Sequence, residues 1–155
     1  MEVLLLGVIC LMPSHLKASP TKAVFPGTKW CGAGNAADDD PNTLGIFQGP
    51  DSCCRAHDLC PLKIHKFNQD FGLFNPRPYT SLHCSCDEAF RHCLRIEGSQ
   101  RSRLVGEFYF NTLKAPCFIL TKEKSCSKRT WWGRCTKRKD QEGWVAHWQK
   151  ATNFD

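Results

Sequence analysis

The chain has 155 residues, 21 Lys and Arg against 15 Asp and Glu, a formal net charge of +6, and 11 cysteines. That length suits a single domain, and 41% apolar with 23% charged residues exclude a disordered chain or a fibrous repeat. So many cysteines in so short a chain point to an oxidising compartment, and no stretch reaches the roughly 20 apolar residues of a membrane-spanning helix.

Residues 3–12 form an apolar run containing Leu4, Leu5, Leu6, Val8 and Ile9, with small residues following at Ala18 and Ser19. This reads as a secretory signal peptide over residues 1–19, cleaved somewhere between 18 and 24, although Glu2 stands where a basic residue is usual. Its removal takes Cys10 with it and leaves ten cysteines, an even number that implies five disulfides. Residues 27–50, rich in Gly, Pro, Asn and Asp, read as loop. A first helix is predicted from Cys53 to Cys60, with Asp51 and Ser52 as caps and Pro61 as its stop. Residues 61–81, with Gly72, Pro76 and Pro78, form an irregular connection. Cys86, Ala89, Phe90, Cys93 and Leu94 fall at helical spacing and predict the second helix. Leu104, Val105, Phe108, Tyr109, Thr112 and Leu113 suggest a third. Beyond Cys117, short strands or turns are expected.

Charge is concentrated at the end. Residues 122–155 carry nine Lys and Arg against four Asp and Glu, whereas the preceding residues are nearly balanced. Lys124, Lys128, Arg129, Arg134, Lys137, Arg138 and Lys139 surround Trp131 and Trp132, a mixture suited to anionic lipid headgroups with indoles at the interface. Nucleic acid would also be attracted to such a patch, and a solvated basic tail is the plainer reading.

Cysteine spacing constrains the two helices. Cys53 and Cys60 are seven apart, and so are Cys86 and Cys93, two helical turns in each case. An antiparallel pair would link Cys53 to Cys93 and Cys60 to Cys86, although parallel pairing has the same spacing. His57 lies between Cys53 and Cys60 on that stripe and would face the second helix. Cys54 and Asp58, i and i+4, share a different side. If Cys54 pairs with Cys31, the loop Trp30-Cys31-Gly32-Ala33-Gly34-Asn35 is drawn beside the Asp58 carboxylate. One carboxylate with backbone carbonyls is a set of hard oxygen donors that favours calcium over zinc. Zinc held by Cys53, Cys54, His57 and Cys60 is the competing reading, and His57 alone would be an ordinary core histidine. The run Asp38, Asp39 and Asp40 reads as a solvated loop.

Asp51-Ser52-Cys53-Cys54-Arg55-Ala56-His57-Asp58-Leu59-Cys60 resembles the active-site helix of the secreted phospholipases A2. Trp30-Cys31-Gly32-Ala33-Gly34-Asn35 resembles the calcium loop of the group III, or bee-venom, type. Cys84-Ser85-Cys86-Asp87, Leu104-Val105-Gly106 and Tyr109-Phe110-Asn111 fit the same group, so the likeness runs from about Phe25 to Cys135.

The resemblance implies a small, mainly α, disulfide-rich fold in which two antiparallel, disulfide-linked helices carry the active site. A calcium-binding loop, a third helix and a short β/turn region near the C-terminus complete it. It implies a catalytic core over residues 20–121 and a basic, Trp-containing segment with a small disulfide loop over 122–155. The pairs would be Cys31–Cys54, Cys53–Cys93, Cys60–Cys86, Cys84–Cys117 and Cys126–Cys135. The implied activity is calcium-dependent hydrolysis of the sn-2 ester of glycerophospholipids. His57 would be general base, Asp87 its orienting partner and Tyr109 a hydrogen-bond donor to Asp87. One calcium ion would be held by Asp58 and the carbonyls of Trp30, Gly32 and Gly34. The protein would be a secreted, extracellular monomer acting at phospholipid membrane surfaces, anionic ones through the basic segment, and not on nucleic acid. A non-catalytic binding protein or toxin on this scaffold, or a cationic host-defence protein, is the alternative; intact His57, Asp58 and Asp87 argue against it. No Gly-x-Ser-x-Gly elbow offers a serine nucleophile, and no asparagine forms an N-x-S/T glycosylation signal.

Overall fold

The computed structural model describes residues 23–34, 36–37 and 40–155; the expected signal peptide lies outside them. In chain order the elements are β1 (Ala23–Val24), β2 (Gly32–Ala33), α1 (Gln48–Asp58), β3 (Lys63–Ile64), β4 (Gln69–Asp70), β5 (Leu73–Phe74), β6 (Ser81–Leu82), α2 (Cys84–Glu97), α3 (Gln100–Gly106), β7 (Cys117–Arg129) and β8 (Cys135–Gln149). A π-helical segment, Glu107–Leu113, continues α3 without a break. The strands pair antiparallel as β1 with β2, β3 with β6, β4 with β5 and β7 with β8. Among the described residues no helix is long and apolar enough to cross a membrane.

The first helix starts five residues earlier than predicted. Phe47 occupies the N-cap position without a side-chain cap, and Pro50 sits in the first turn, where its missing N–H leaves no bond unmade. Asp51 is therefore not a cap. It lies inside the helix, fully buried, and its carboxylate serves the preceding loop instead. The helix ends at Asp58, two residues short of Cys60. The second helix has regular ends: the His83 ring accepts from the Ser85 N–H, and Gly98 closes it at φ +67°. Ser99 caps α3 by accepting from Ser102 N. The third predicted helix is thus present, but past Gly106 it widens to π-helical bonding, a distortion frequently found at functional sites.

All ten described cysteines are paired: Cys31–Cys54, Cys53–Cys93, Cys60–Cys86, Cys84–Cys117 and Cys126–Cys135. Cys53 within α1 is bonded to Cys93 late in α2, and Cys60 just past α1 to Cys86 early in α2. Disulfide sulfurs are not metal-binding thiolates, which removes the zinc reading. Trp30, Phe90, Leu94, Val105, Phe110 and Phe154 pack with the buried cysteines into the main core, and a second cluster gathers Ile64, Phe118 and Ala146.

Past Cys117 the structure departs from the short strands and turns expected there. β7 and β8 form one long ribbon of 13 and 15 residues, with Cys117 opposite Gln149 at its base and Arg129 opposite Cys135 at its tip. The base is anchored by Phe118 and Ala146, while most residues beyond Thr121 are exposed. Such a ribbon has little apolar alternation to announce it, because neither of its outer faces covers a core. The chain then returns to the body and buries Phe154.

Candidate active site

His57 lies in the last turns of α1, buried against α2. Its Nε2 is 2.7 Å from Oδ1 of Asp87, in the first turn of α2, and both side chains are almost wholly enclosed. The carboxylate accepts from Nε2–H, so the neutral ring carries its lone pair on Nδ1. No described residue hydrogen-bonds to Nδ1. Tyr109, on the π-helical segment, donates its hydroxyl to the same Asp87 oxygen at 3.3 Å. Burial and the Asp87 charge raise the Tyr109 phenol well above its ordinary range, so it remains a donor. Phe90, one turn after Asp87, stacks on the imidazole at 4.3 Å and an interplanar angle of 19°, and the Tyr109 ring meets it edge-on at 5.1 Å. The structure thus joins His57, Asp87 and Tyr109 in one hydrogen-bonded group fixed by two aromatic rings.

The loop before α1 is held by the buried Asp51. Its carboxylate accepts from the backbone N–H of Lys29, Trp30 and Gly45 at 2.7–3.0 Å. In the sequence an acid at the front of a helix reads first as a cap; the full burial of Asp51 separates the two roles. Trp30 is buried and donates its indole N–H to Thr43 O at 2.9 Å. Gly32 pairs with β1, where a Cβ would stand 2.1 Å from the Ala23 oxygen, so only glycine fits. Gly34 follows at φ +85°. The Cys31–Cys54 disulfide ties this loop to α1 one turn before Asp58.

Asp58 follows His57 directly. Burial pushes its carboxyl up to about 6 from the ordinary 3.8, against the opposing pull of His57 and Lys63. Its carboxylate receives no hydrogen bond from any described residue, while Lys63 Nζ donates to its backbone oxygen at 2.8 Å. A partly buried acid whose oxygens accept nothing from the protein is free to hold a divalent cation. Among the described residues no three His, Cys, Asp or Glu side chains cluster, so a cation here would rely on one carboxylate supplemented by backbone oxygens. That donor set suits a hard cation and not a soft one.

Residues 24–121 match the model of the phospholipase A2 family. The chain belongs to that family. Over 112 residues, 72% of its length, it is 43% identical to a group 3 secretory phospholipase A2 of Bos taurus, covering 22% of that protein. It is 48% identical over 98 residues to a phospholipase A2 of Bombus pensylvanicus, covering 63% of this chain and 71% of the other. Phospholipase A2 isozymes of Heloderma suspectum are 43% identical over 116 residues, 75% of this chain and 80% of theirs. The chain therefore spans about a fifth of the mammalian relatives it matches and most of the insect and lizard ones. Relatives named secretory agree with the five disulfides: this is a secreted, extracellular protein.

Proposed function

We propose that this protein is a calcium-dependent phospholipase A2 that hydrolyses the sn-2 ester of glycerophospholipids, releasing a fatty acid and a lysophospholipid. The observation that carries the reading is the His57–Asp87 pair, locked through Nε2 with Nδ1 left open, next in the chain to the partly buried Asp58 carboxylate. In this reading two antiparallel helices, stapled by Cys53–Cys93 and Cys60–Cys86, carry the catalytic residues within a core of residues 20–121, after a leader of residues 1–19.

His57 Nδ1 takes a proton from water as the water oxygen attacks the sn-2 carbonyl carbon. The same nitrogen then returns the proton to the departing glycerol oxygen, so no covalent acyl-enzyme forms. Asp87 holds the required tautomer and stabilises the imidazolium, while Tyr109 fixes Asp87. Asp58, with the carbonyl oxygens of Trp30, Gly32 and Gly34, would hold one calcium ion. Bound there, calcium would supply positive charge to the ester carbonyl oxygen and the substrate phosphate. Asp51 keeps the loop carrying those carbonyls in place.

The substrate surface would be a phospholipid membrane, met by a monomer. Preference for anionic membranes through the basic segment of residues 122–155 is supported by the ribbon tip, where Trp131 is 92% and Trp132 62% exposed among Lys and Arg side chains. A phospholipid with different acyl chains at sn-1 and sn-2 tests the reaction. Mass analysis of products should find the sn-2 acid released; release from sn-1, or none, would contradict the assignment.

A further inference from the structure

We infer that Phe154 is a positioning residue for the His57–Asp87 pair, acting through the π-helical segment on Tyr109; this rests on the phospholipase reading above. Phe154 lies outside the stretch that matches the family, which ends at residue 121. It nevertheless ends up in the main core, 6% exposed, behind the catalytic group.

Two contacts fasten it to one turn of the π-helical segment. Its ring lies nearly parallel to that of Phe110, 6.1 Å away at 15°, and its backbone N–H donates to Oδ1 of Asn111 at 3.0 Å. Phe110 in turn meets the adjacent Tyr109 edge-on at 4.9 Å and lies 5.9 Å from Phe90 at a tilt of 38°. Phe90 carries the imidazole of His57 on its face. A continuous line of aromatic rings therefore joins Phe154 to the general base. The ring rests on the bare backbone of Gly106, where α3 becomes π-helical, and fills the space that a side chain there would need. The returning residues Gln149, Ala151 and Thr152 line an open pocket together with Asp87 and Phe110, so the segment that carries Phe154 also borders the catalytic carboxylate.

Tyr109 is the sensitive point. Its bond to Asp87 is 3.3 Å long, well beyond the usual hydroxyl-to-oxygen distance of about 2.7–2.8 Å, whereas the His57–Asp87 bond is already short. A further displacement of a few tenths of an ångström in the π-helical segment would break the Tyr109 bond and leave the imidazole bond standing. Loss of the Phe154 ring removes the support that prevents that displacement.

The test compares Phe154→Ala, Phe154→Leu, Tyr109→Phe and the Phe154→Ala/Tyr109→Phe double variant on phosphatidylcholine vesicles with calcium, each confirmed folded by circular dichroism. Phe154→Ala should lower kcat about 10-fold with KM unchanged, since small misplacements act on the chemical step. Phe154→Leu, which keeps an apolar plug, should restore at least about half of it. In the Tyr109→Phe background the same alanine should cost less than about two-fold, because coupled residues are non-additive. An undiminished kcat in Phe154→Ala, or equal losses in both backgrounds, would overturn the proposal. Should Phe154→Ala fail to fold, Asn111→Ala, which removes the other fastening, takes its place in the same comparison. Nuclear magnetic resonance of the His57 imidazole N–H supplies a readout independent of turnover: its line should move in the Phe154 variant, and an unmoved line refutes the route. Absence of activity in the wild-type protein would sink the phospholipase reading instead, and the imidazole line would still decide this one.

Discussion

Asp87→Asn isolates what the buried pair contributes. The substitution keeps the shape of the side chain and leaves an amide oxygen for the Tyr109 hydroxyl, so packing around Phe90 should survive. What disappears is the negative charge 2.7 Å from His57 Nε2. A hydrogen bond to a charged group contributes about 1.5–3 kcal/mol, which corresponds to roughly 10- to 150-fold in rate at about 1.4 kcal/mol per decade. The amide can also turn its NH2 toward Nε2 and select the tautomer with the proton on Nδ1, which is useless as a base. Where that tautomer dominates, losses approach about 10⁴, as in a serine protease with the equivalent change. The expected result is a fall in kcat of between about 10- and 10⁴-fold, with the melting temperature and calcium affinity nearly unchanged. The assay is pH-stat release of fatty acid from vesicles, paired with thermal denaturation. Activity within about two-fold of wild type, accompanied by a large drop in melting temperature, would show the pair to be structural and refute the reasoning.

Asp58 should make stability depend on pH when calcium is chelated. Its folded pKa of about 6 exceeds the ordinary 3.8, so the folded state binds that proton more tightly, and the resulting stabilisation is lost as pH rises through 6. Relative to Asp58→Asn, the wild type in chelator should therefore lose melting temperature between about pH 4 and 6, and millimolar calcium, held by the ionised carboxylate, should remove that loss; a pH-independent difference contradicts the assignment. Gly106→Ala should destabilise by about 1–3 kcal/mol through overpacking against Phe154, read from the urea midpoint, and an unchanged midpoint would contradict the close approach. Trp131→Ala/Trp132→Ala should weaken binding to anionic vesicles while leaving hydrolysis of a monomeric substrate intact. Equal binding by the double variant would remove the ribbon tip from the membrane contact.

Much of the site could be read from residue spacing because helices convert it directly into geometry. Cys53, Cys60, Cys86 and Cys93 at two-turn intervals, with His57 on the same stripe, leave two pairings open, and the structure has the antiparallel one, Cys53–Cys93 with Cys60–Cys86. Asp51 is not legible locally, because local rules assign an acid before a helical run to capping, whereas its actual partners, Lys29 and Trp30, are some twenty residues away. The ribbon is hidden in the sequence for a different reason. Beyond Lys122 its strands are charged on both faces, and their pairing rests on backbone hydrogen bonds that leave no hydrophobic period. Phe154 is a single aromatic in a polar stretch, and nothing local distinguishes it from an exposed residue; its burial arises only once the ribbon has turned the chain back.

Calcium-dependent release of fatty acid from phospholipid vesicles, compared between wild type and His57→Gln, tests the central claim most directly. Wild type should release acid with calcium and stop on chelation, while His57→Gln, folded and still binding calcium, should release almost none. Release that persists in chelator, or full activity in His57→Gln, would contradict the mechanism.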